Sequence, residues 1–210
     1  MIRTWIAKTD ALYDKSIYQK YYESVPKERQ EKADRILKLE DRVLSIGVWA
    51  LLMEARRESG LAGGQPFNLS HSGRYVLCSI ADGEVPDVKV GCDIECVKEL
   101  RKNVAHRFFS EGESAFIRNC PTKQGQQQAF FRYWVLKESF VKATRLGMAL
   151  PLHSFEVKIQ ENGEAELIRQ PPDILEKYYF KEYFVEHVGF KVAVCSTHPT
   201  FSEDVREVKL

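Results

Sequence analysis

Residues 129–146, AFFRYWVLKESFVKATRL, limit the possible folds more than any other stretch of this 210-residue chain. Phe130, Phe131, Val135, Phe140 and Val141 make the run a helix that has to be largely buried, and Gly147 is its natural stop. Other elements must therefore cover it. Yet the same helix carries Lys137, Glu138 and Lys142. Trp134, Glu138 and Lys142 recur every fourth residue and stack on one face, with Lys137 offset from Glu138 by about 100°. One account of them is a Glu–Lys pair one turn apart, supporting the helix by about 0.2–0.5 kcal/mol. An unpartnered buried charge is costly, however, and a metal ion with a polyphosphate would serve Glu138 and both lysines at once.

Two β-prone runs precede the helix. Residues 74–80 are apolar, Asp82-Gly83 signals a turn, and residues 88–95 alternate cleanly. Val88, Val90, Cys92 and Ile94 point one way, while Lys89, Gly91, Asp93 and Glu95 point the other. Asp93 and Glu95 thus stand side by side, and Glu138 from a helix packed across that face would complete a hard-oxygen site. Magnesium fits such a site, since it keeps waters and takes further ligands from substrate phosphates. A solvated strand carrying alternating acids is the competing reading. Upstream, FNLSHSG (67–73) either presents Ser70, His71 and Ser72 to a phosphate, with Gly73 allowing close backbone approach, or forms a turn with a satisfied histidine. A Ser70–His71 nucleophile pair is excluded, because neighbours in an extended segment point to opposite sides; no Gly-x-Ser-x-Gly elbow occurs either.

Residues 2–7 predict a short strand and residues 27–55 a helix with Ile36, Val43, Gly47 and Ala50 on one face. Lys32, Arg35, Lys38 and Arg42 fall within about one third of that helix's circumference, as a solvated face or as an anion-binding edge. Residues 60–66 are a loop, 104–118 a helix, and 119–128 a loop leading into the buried helix. Residues 155–159 and 165–169 flank Asn162-Gly163, a strong hairpin signal. Residues 178–187 and 190–196 flank a turn at Val188-Gly189, and the tail after His198 carries no clear signal. Each half runs from helix to antiparallel strands. The expected fold is α+β, with two similar lobes (1–100 and 101–210), each a helix packed on an antiparallel sheet, and the active site between them.

Lys and Arg number 31 against 30 Asp and Glu, so no global charge draws this chain to nucleic acid or an anionic membrane. The five cysteines lack zinc-site spacing and read as small buried residues of a reducing compartment. With no signal peptide and no stretch able to span a bilayer, the chain reads as cytoplasmic. No Gly-x-x-x-x-Gly-Lys-Ser/Thr loop marks a nucleotide-binding phosphotransferase.

FNLSHSGRYV (67–76), GCDIE (91–95), RFFSEGE (107–113) and WVLKESFVKATRLGMALPLHSFEV (134–157), with PKERQEKADR (26–35), resemble in order and spacing the larger, Sfp-type phosphopantetheinyl transferases. The resemblance implies transfer of the 4′-phosphopantetheine arm of coenzyme A to a serine of an acyl or peptidyl carrier protein, with release of 3′,5′-ADP. It implies magnesium held by Asp93, Glu95 and Glu138, and Glu113 as the acid that deprotonates the serine. Lys142 would bind the diphosphate and protonate the leaving group, with Lys137 of the same motif beside the cofactor. Ser70 and His71 would hold the 3′-phosphate, and Arg29, Lys32 and Arg42 the nucleotide. A chain with both lobes is expected to act as a monomer. The alternative is a non-catalytic relative that binds carrier protein or coenzyme A. One departure stands out: where the family commonly has Gly-Lys-Pro and about ten further residues, Gly64-Gln65-Pro66 runs straight into Phe67.

Overall fold

The computed structural model describes residues 1–83, 87–99, 105–185 and 189–210. Strand β1 (Ile2–Lys8) is followed by helices α1 (Lys15–Ser24), α2 (Lys27–Asp34) and α3 (Leu39–Ser59), then by strands β2 (Phe67–Ser72), β3 (Tyr75–Ala81) and β4 (Val90–Cys96). Helices α4 (Ala105–Phe108), α5 (Glu111–Asn119) and α6 (Lys123–Thr144) come next. Strands β5 (Glu156–Ile159), β6 (Ala165–Arg169), β7 (Tyr179–Tyr183), β8 (Phe190–Ser196) and β9 (Arg206–Lys209) complete the chain. The strands form sheets in the orders β2-β3-β1-β9, β4-β8-β7 and β5-β6.

The class is α+β, and period-two patterning explains its layering. On the first sheet Trp5, Val76, Cys78 and Ile80 pack against Leu44, Val48, Leu51 and Leu52 of α3. The opposite face, with Ile2, Ile6 and Leu77, packs against Val90, Cys92, Ile94, Val192 and Val194 of the second sheet. That sheet's far face turns Ala193 and Cys195 toward Val135, Leu136 and Phe140 of α6. The order of layers is thus α3, first sheet, second sheet, α6. The buried helix does receive its cover, and Gly91, Asp93 and Glu95 lie on the α6 side of β4 because Cys92 and Ile94 are taken by the core.

Strand pairing runs between the two halves of the chain: β4 pairs with β8, and β9 returns from the second half to lie parallel to β1. The first sheet is therefore not wholly antiparallel, and the boundary itself lies outside the described residues. The single helix over residues 27–55 is two, broken after Asp34, where Arg42 turns back and donates through Nε and Nη2 to the Ile36 carbonyl at 3.2 and 3.0 Å. Lys32 and Arg42 consequently sit on different helices. The helix over residues 104–118 is likewise two short ones, α4 and α5; residue 104, and residues 186–188 of the strand and turn expected there, lie outside the described residues. Helix α1, capped by Asp14 accepting from the amides of Ser16 and Ile17, lies in a stretch without an expected element.

Candidate active site

Helix α6 lies unusually close to β4. A β-carbon on Gly91 would stand 2.1 Å from the Ser139 carbonyl oxygen and 2.4 Å from the Ala143 nitrogen, so only glycine admits the helix backbone here. This contact, one residue pair from Asp93, lowers Glu138 and Lys142 onto the acidic face of the strand. Lys142 Nζ donates to Asp93 Oδ1 at 2.7 Å, Ser70 Oγ at 2.9 Å and the Cys92 carbonyl at 3.0 Å, which uses all three ammonium protons. Ser70 Oγ donates to the same Asp93 Oδ1 at 2.9 Å. Asp93 Oδ2 is buried and has no hydrogen-bond partner among the described residues. Ser72 Oγ donates to Glu95 Oε2 at 2.9 Å.

The three acids strain against one another. Burial pushes the Asp93 carboxyl up, against the opposing pull of Lys142 and Ser70. Burial also raises Glu95 and Glu138, and the negative charge of Asp93 raises both further. Lys142 is held above its ordinary value: burial is the largest single influence and works against its charge, but Asp93, Cys92 and Glu138 together outweigh it. Mutually repelling carboxylates with an unpartnered buried oxygen make a place for a cation. Among the described residues no three His, Cys, Asp or Glu side chains draw together tightly enough to enclose an ion. The acids are therefore an open half-site that needs outside ligands. Glu138 and Lys142 line a cavity of about 640 Å³ together with Asn68, Arg107, Trp134 and His153.

The other sequence-predicted residues are distributed differently. His71 lies on the opposite face of β2 from Ser70 and opens to solvent at one side only; the part of its ring covered by protein, with the charges of Lys142 and Lys32, pulls its imidazole below the ordinary value, against Asp41 and Asp93. Lys32 is thus within electrostatic reach of His71 and is itself exposed. Arg29 stacks its guanidinium on Trp49, 5.1 Å from the ring centroid, and Arg42 is engaged by the Ile36 carbonyl. Ser70, 6 % exposed, engages Asp93, Lys142 and the backbone of β4.

Glu113 and Lys137 are not part of the acid cluster. Lys137 is 0 % exposed and Glu113 1 %. Lys137 Nζ lies 2.6 Å from both Glu113 oxygens and 2.9 Å from the Phe155 carbonyl. Glu113 also accepts from the amides of Ser110 and Val157, each at 2.8 Å, the first closing a capping box at the start of α5. Every acceptor direction of this carboxylate is occupied, and neither residue lines the cavity. In this arrangement Glu113 has no free oxygen for a substrate proton, and Lys137 none of its protons for a phosphate. Ser72, read from the sequence as a hydroxyl for a phosphate, donates to Glu95; its contact with the acid went unread, and its place two residues after Ser70 on a strand was the available signal.

Comparison with known proteins adds a family. The model of the 4′-phosphopantetheinyl transferase superfamily matches residues 89–195. The chain is similar to 4′-phosphopantetheinyl transferase Sfp of Bacillus subtilis (strain 168), 39 % identical over 142 residues, which are 68 % of this chain and 59 % of that protein. It is also similar to 4′-phosphopantetheinyl transferase psf-1 of Bacillus pumilus, 36 % identical over 66 % of this chain and 56 % of that protein. The chain therefore spans 56–59 % of the length of these two curated relatives. Among solved structures, a holo-(acyl-carrier-protein) synthase from Bacillus anthracis str. Ames in complex with CoA (3′,5′-ADP) aligns over 53 % of this chain and 96 % of that one, with 17 % identity and a TM-score of 0.43.

Proposed function

Since this chain belongs to the 4′-phosphopantetheinyl transferase superfamily, whose model matches residues 89–195, we propose that it moves the 4′-phosphopantetheine arm of coenzyme A onto a serine of an acyl or peptidyl carrier protein, releasing 3′,5′-ADP. The observation that carries this reading is Asp93 Oδ2, buried and unpartnered between acids that raise one another's pKa. A divalent ion is the group that answers it. Asp93, Glu95 and Glu138 would hold magnesium, with the coenzyme A diphosphate supplying the ligands that the open half-site lacks. Bound there, magnesium supplies neutralisation of the charge that grows on the diphosphate.

The chain's own residues do the rest. Lys142 stands protonated at the cavity wall, and by exchanging one of its present bonds, to Ser70, Asp93 or the Cys92 carbonyl, for a phosphate oxygen its Nζ would bind the diphosphate and release a proton to the leaving 3′,5′-ADP oxygen. The bond formed joins the serine oxygen to the pantetheine-bearing phosphorus, the bond broken joins that phosphorus to the ADP oxygen, and the serine proton passes to solvent water in the open cavity. Lys32 as a cation and His71 as a neutral imidazole donor would meet the nucleotide's 3′-phosphate, and Arg29 is held stacked on Trp49. Glu113 with Lys137 acts by position, fixing α5 and the start of β5 against α6. We also read the protein as a cytoplasmic monomer: its five cysteines are all free, and among the described residues no helix is long and apolar enough to cross a membrane.

Mass spectrometry of apo-carrier proteins incubated with the chain, coenzyme A and magnesium tests the reaction. A gain of one phosphopantetheine arm on the carrier serine is expected. Carrier binding without any gain across peptidyl and acyl carriers would sink the transferase reading in favour of a non-catalytic relative.

A further inference from the structure

Strands β2 and β4 are the facing edges of two different sheets and share no backbone ladder. Side chains bridge them instead. Asn68 Oδ1 accepts from the Cys92 amide at 3.0 Å, Ser70 Oγ from the Ile94 amide at 3.4 Å, and Ser72 Oγ from the Cys96 amide at 3.1 Å. Alternate residues of one strand thus meet alternate amides of the next, as a backbone ladder would, one side chain further out. Two of these bridging atoms touch the acids, Ser70 at Asp93 Oδ1 and Ser72 at Glu95 Oε2, both at 2.9 Å.

The direction of these bonds follows from the partners. A backbone N–H can only donate, and so can the Lys142 ammonium that reaches Ser70 at 2.9 Å. Each hydroxyl oxygen is therefore an acceptor on its β4 side, and its single proton is left for the carboxylate. Asp93 and Glu95 are each gripped at one oxygen by a donor that is itself tied to the backbone of their own strand. The other oxygen of Asp93 remains unpartnered. We propose that Ser70 and Ser72 are positioning residues for the divalent cation: their hydroxyls lock one oxygen of Asp93 and of Glu95 so that the second oxygen faces the ion. This rests on the metal reading above. It gives Ser70, which the family resemblance links to a phosphate, and Ser72, which nothing else in the chain explains, one joint role. Outer hydrogen-bond partners of this kind typically change metal affinity by about 10–100-fold when removed.

Ser72 is the cleaner test, because it touches neither Lys142 nor the cavity. The probe is Mn²⁺, titrated into the whole chain in the presence of coenzyme A, against a blank of coenzyme A alone, and followed by electron paramagnetic resonance of the free ion. Ser72→Ala is expected to weaken Mn²⁺ binding about 10–100-fold, and Ser72→Thr, which keeps the hydroxyl, to restore it. In transfer assays the magnesium concentration for half-maximal rate should rise in Ser72→Ala, while the rate at saturating magnesium stays near that of the parent. Should Ser72→Ala fold poorly, Ser72→Cys, which has a weaker donor of similar size, takes its place with the same expected direction. Parent-like Mn²⁺ affinity in the folded variant overturns the positioning role and leaves the metal reading standing. If the unmodified chain binds no Mn²⁺ at all, the metal reading falls and this inference falls with it.

Discussion

Two buried ionic arrangements sit one residue apart on α6 and behave in opposite ways. Lys137 and Glu113 satisfy each other completely, whereas Glu138 joins acids that remain in conflict. Breaking the first should cost stability: Glu113→Gln is expected to lose about 3–5 kcal/mol, by leaving Lys137 charged and poorly partnered in the core. Chemical denaturation measures that loss, and pairing Lys137→Met with Glu113→Leu should recover a large part of it. The second arrangement predicts a pH effect. Asp93, Glu95 and Glu138 hold their protons more tightly folded than as ordinary carboxyls. Their contribution to stability is then fully present at acid pH and is lost as pH rises through their raised pKa values. Magnesium should offset that loss, so its upward shift of the melting temperature should be larger at pH 7 than at pH 5. In Asp93→Asn the magnesium effect should vanish, and kcat/KM should fall about a hundredfold or more. A melting shift in Asp93→Asn equal to the parent's would count against the site.

At the scale of elements, the position of α6 on β4 is set by a missing side chain. Gly91→Ala would drive a methyl group into helix backbone at Ser139 and Ala143, atoms that cannot rotate away. Overpacking of this kind costs about 1–3 kcal/mol, and here it also lifts Glu138 and Lys142 from Asp93. Both the unfolding midpoint and the transfer rate should drop, and a parent-like rate in a folded Gly91→Ala protein would show that this spacing does not matter. The α6 helix, the strand under it and the β5–β6 hairpin were legible because their patterns are strong: a long apolar run, clean alternation, an Asn-Gly turn. The acids and Lys142 could be grouped for the same reason, from i, i+2 and i, i+4 geometry. What escaped was partner choice. Nothing in FNLSHSG says that Ser70 and Ser72 turn to β4 while His71 turns to the far face, since that depends on which edge lies across from β2. Nor does RFFSEGE reveal that Glu113 is an N-terminal cap and the counter-ion of Lys137. Helix α1 and strand β9 were missed because KSIYQKYYES is polar on average, its apolar face made largely of tyrosines, and REVK is short and mostly charged. Tertiary contact, not local pattern, makes them regular.

Across the whole molecule, pairings join distant parts of the chain: β4 to β8, and β1 to β9. Val208 of β9, and Leu210 just after it, pack onto the α3 core. Removing residues 204–210 should therefore destabilise the first sheet by about 2–3 kcal/mol through lost apolar burial and an uncovered β1 edge. Hydrogen exchange along β1 would register this as faster exchange at Trp5 to Lys8, the residues that β9 covers. Unchanged protection there would argue that β9 is ornamental.

The β4–β8 pairing also sets an order of events. At about 5–20 residues per second of synthesis, roughly 5–20 s separate the emergence of Asp93 from that of Ala193, its partner across the ladder. During that interval β4 is an unpaired edge bearing two acids, and β1 waits about twice as long for β9. A newborn chain thus holds the parts of its reaction centre well before it can assemble them. Chaperones that shield strand edges, and magnesium available as the last strands close, would act during this delay on how much of the protein becomes active.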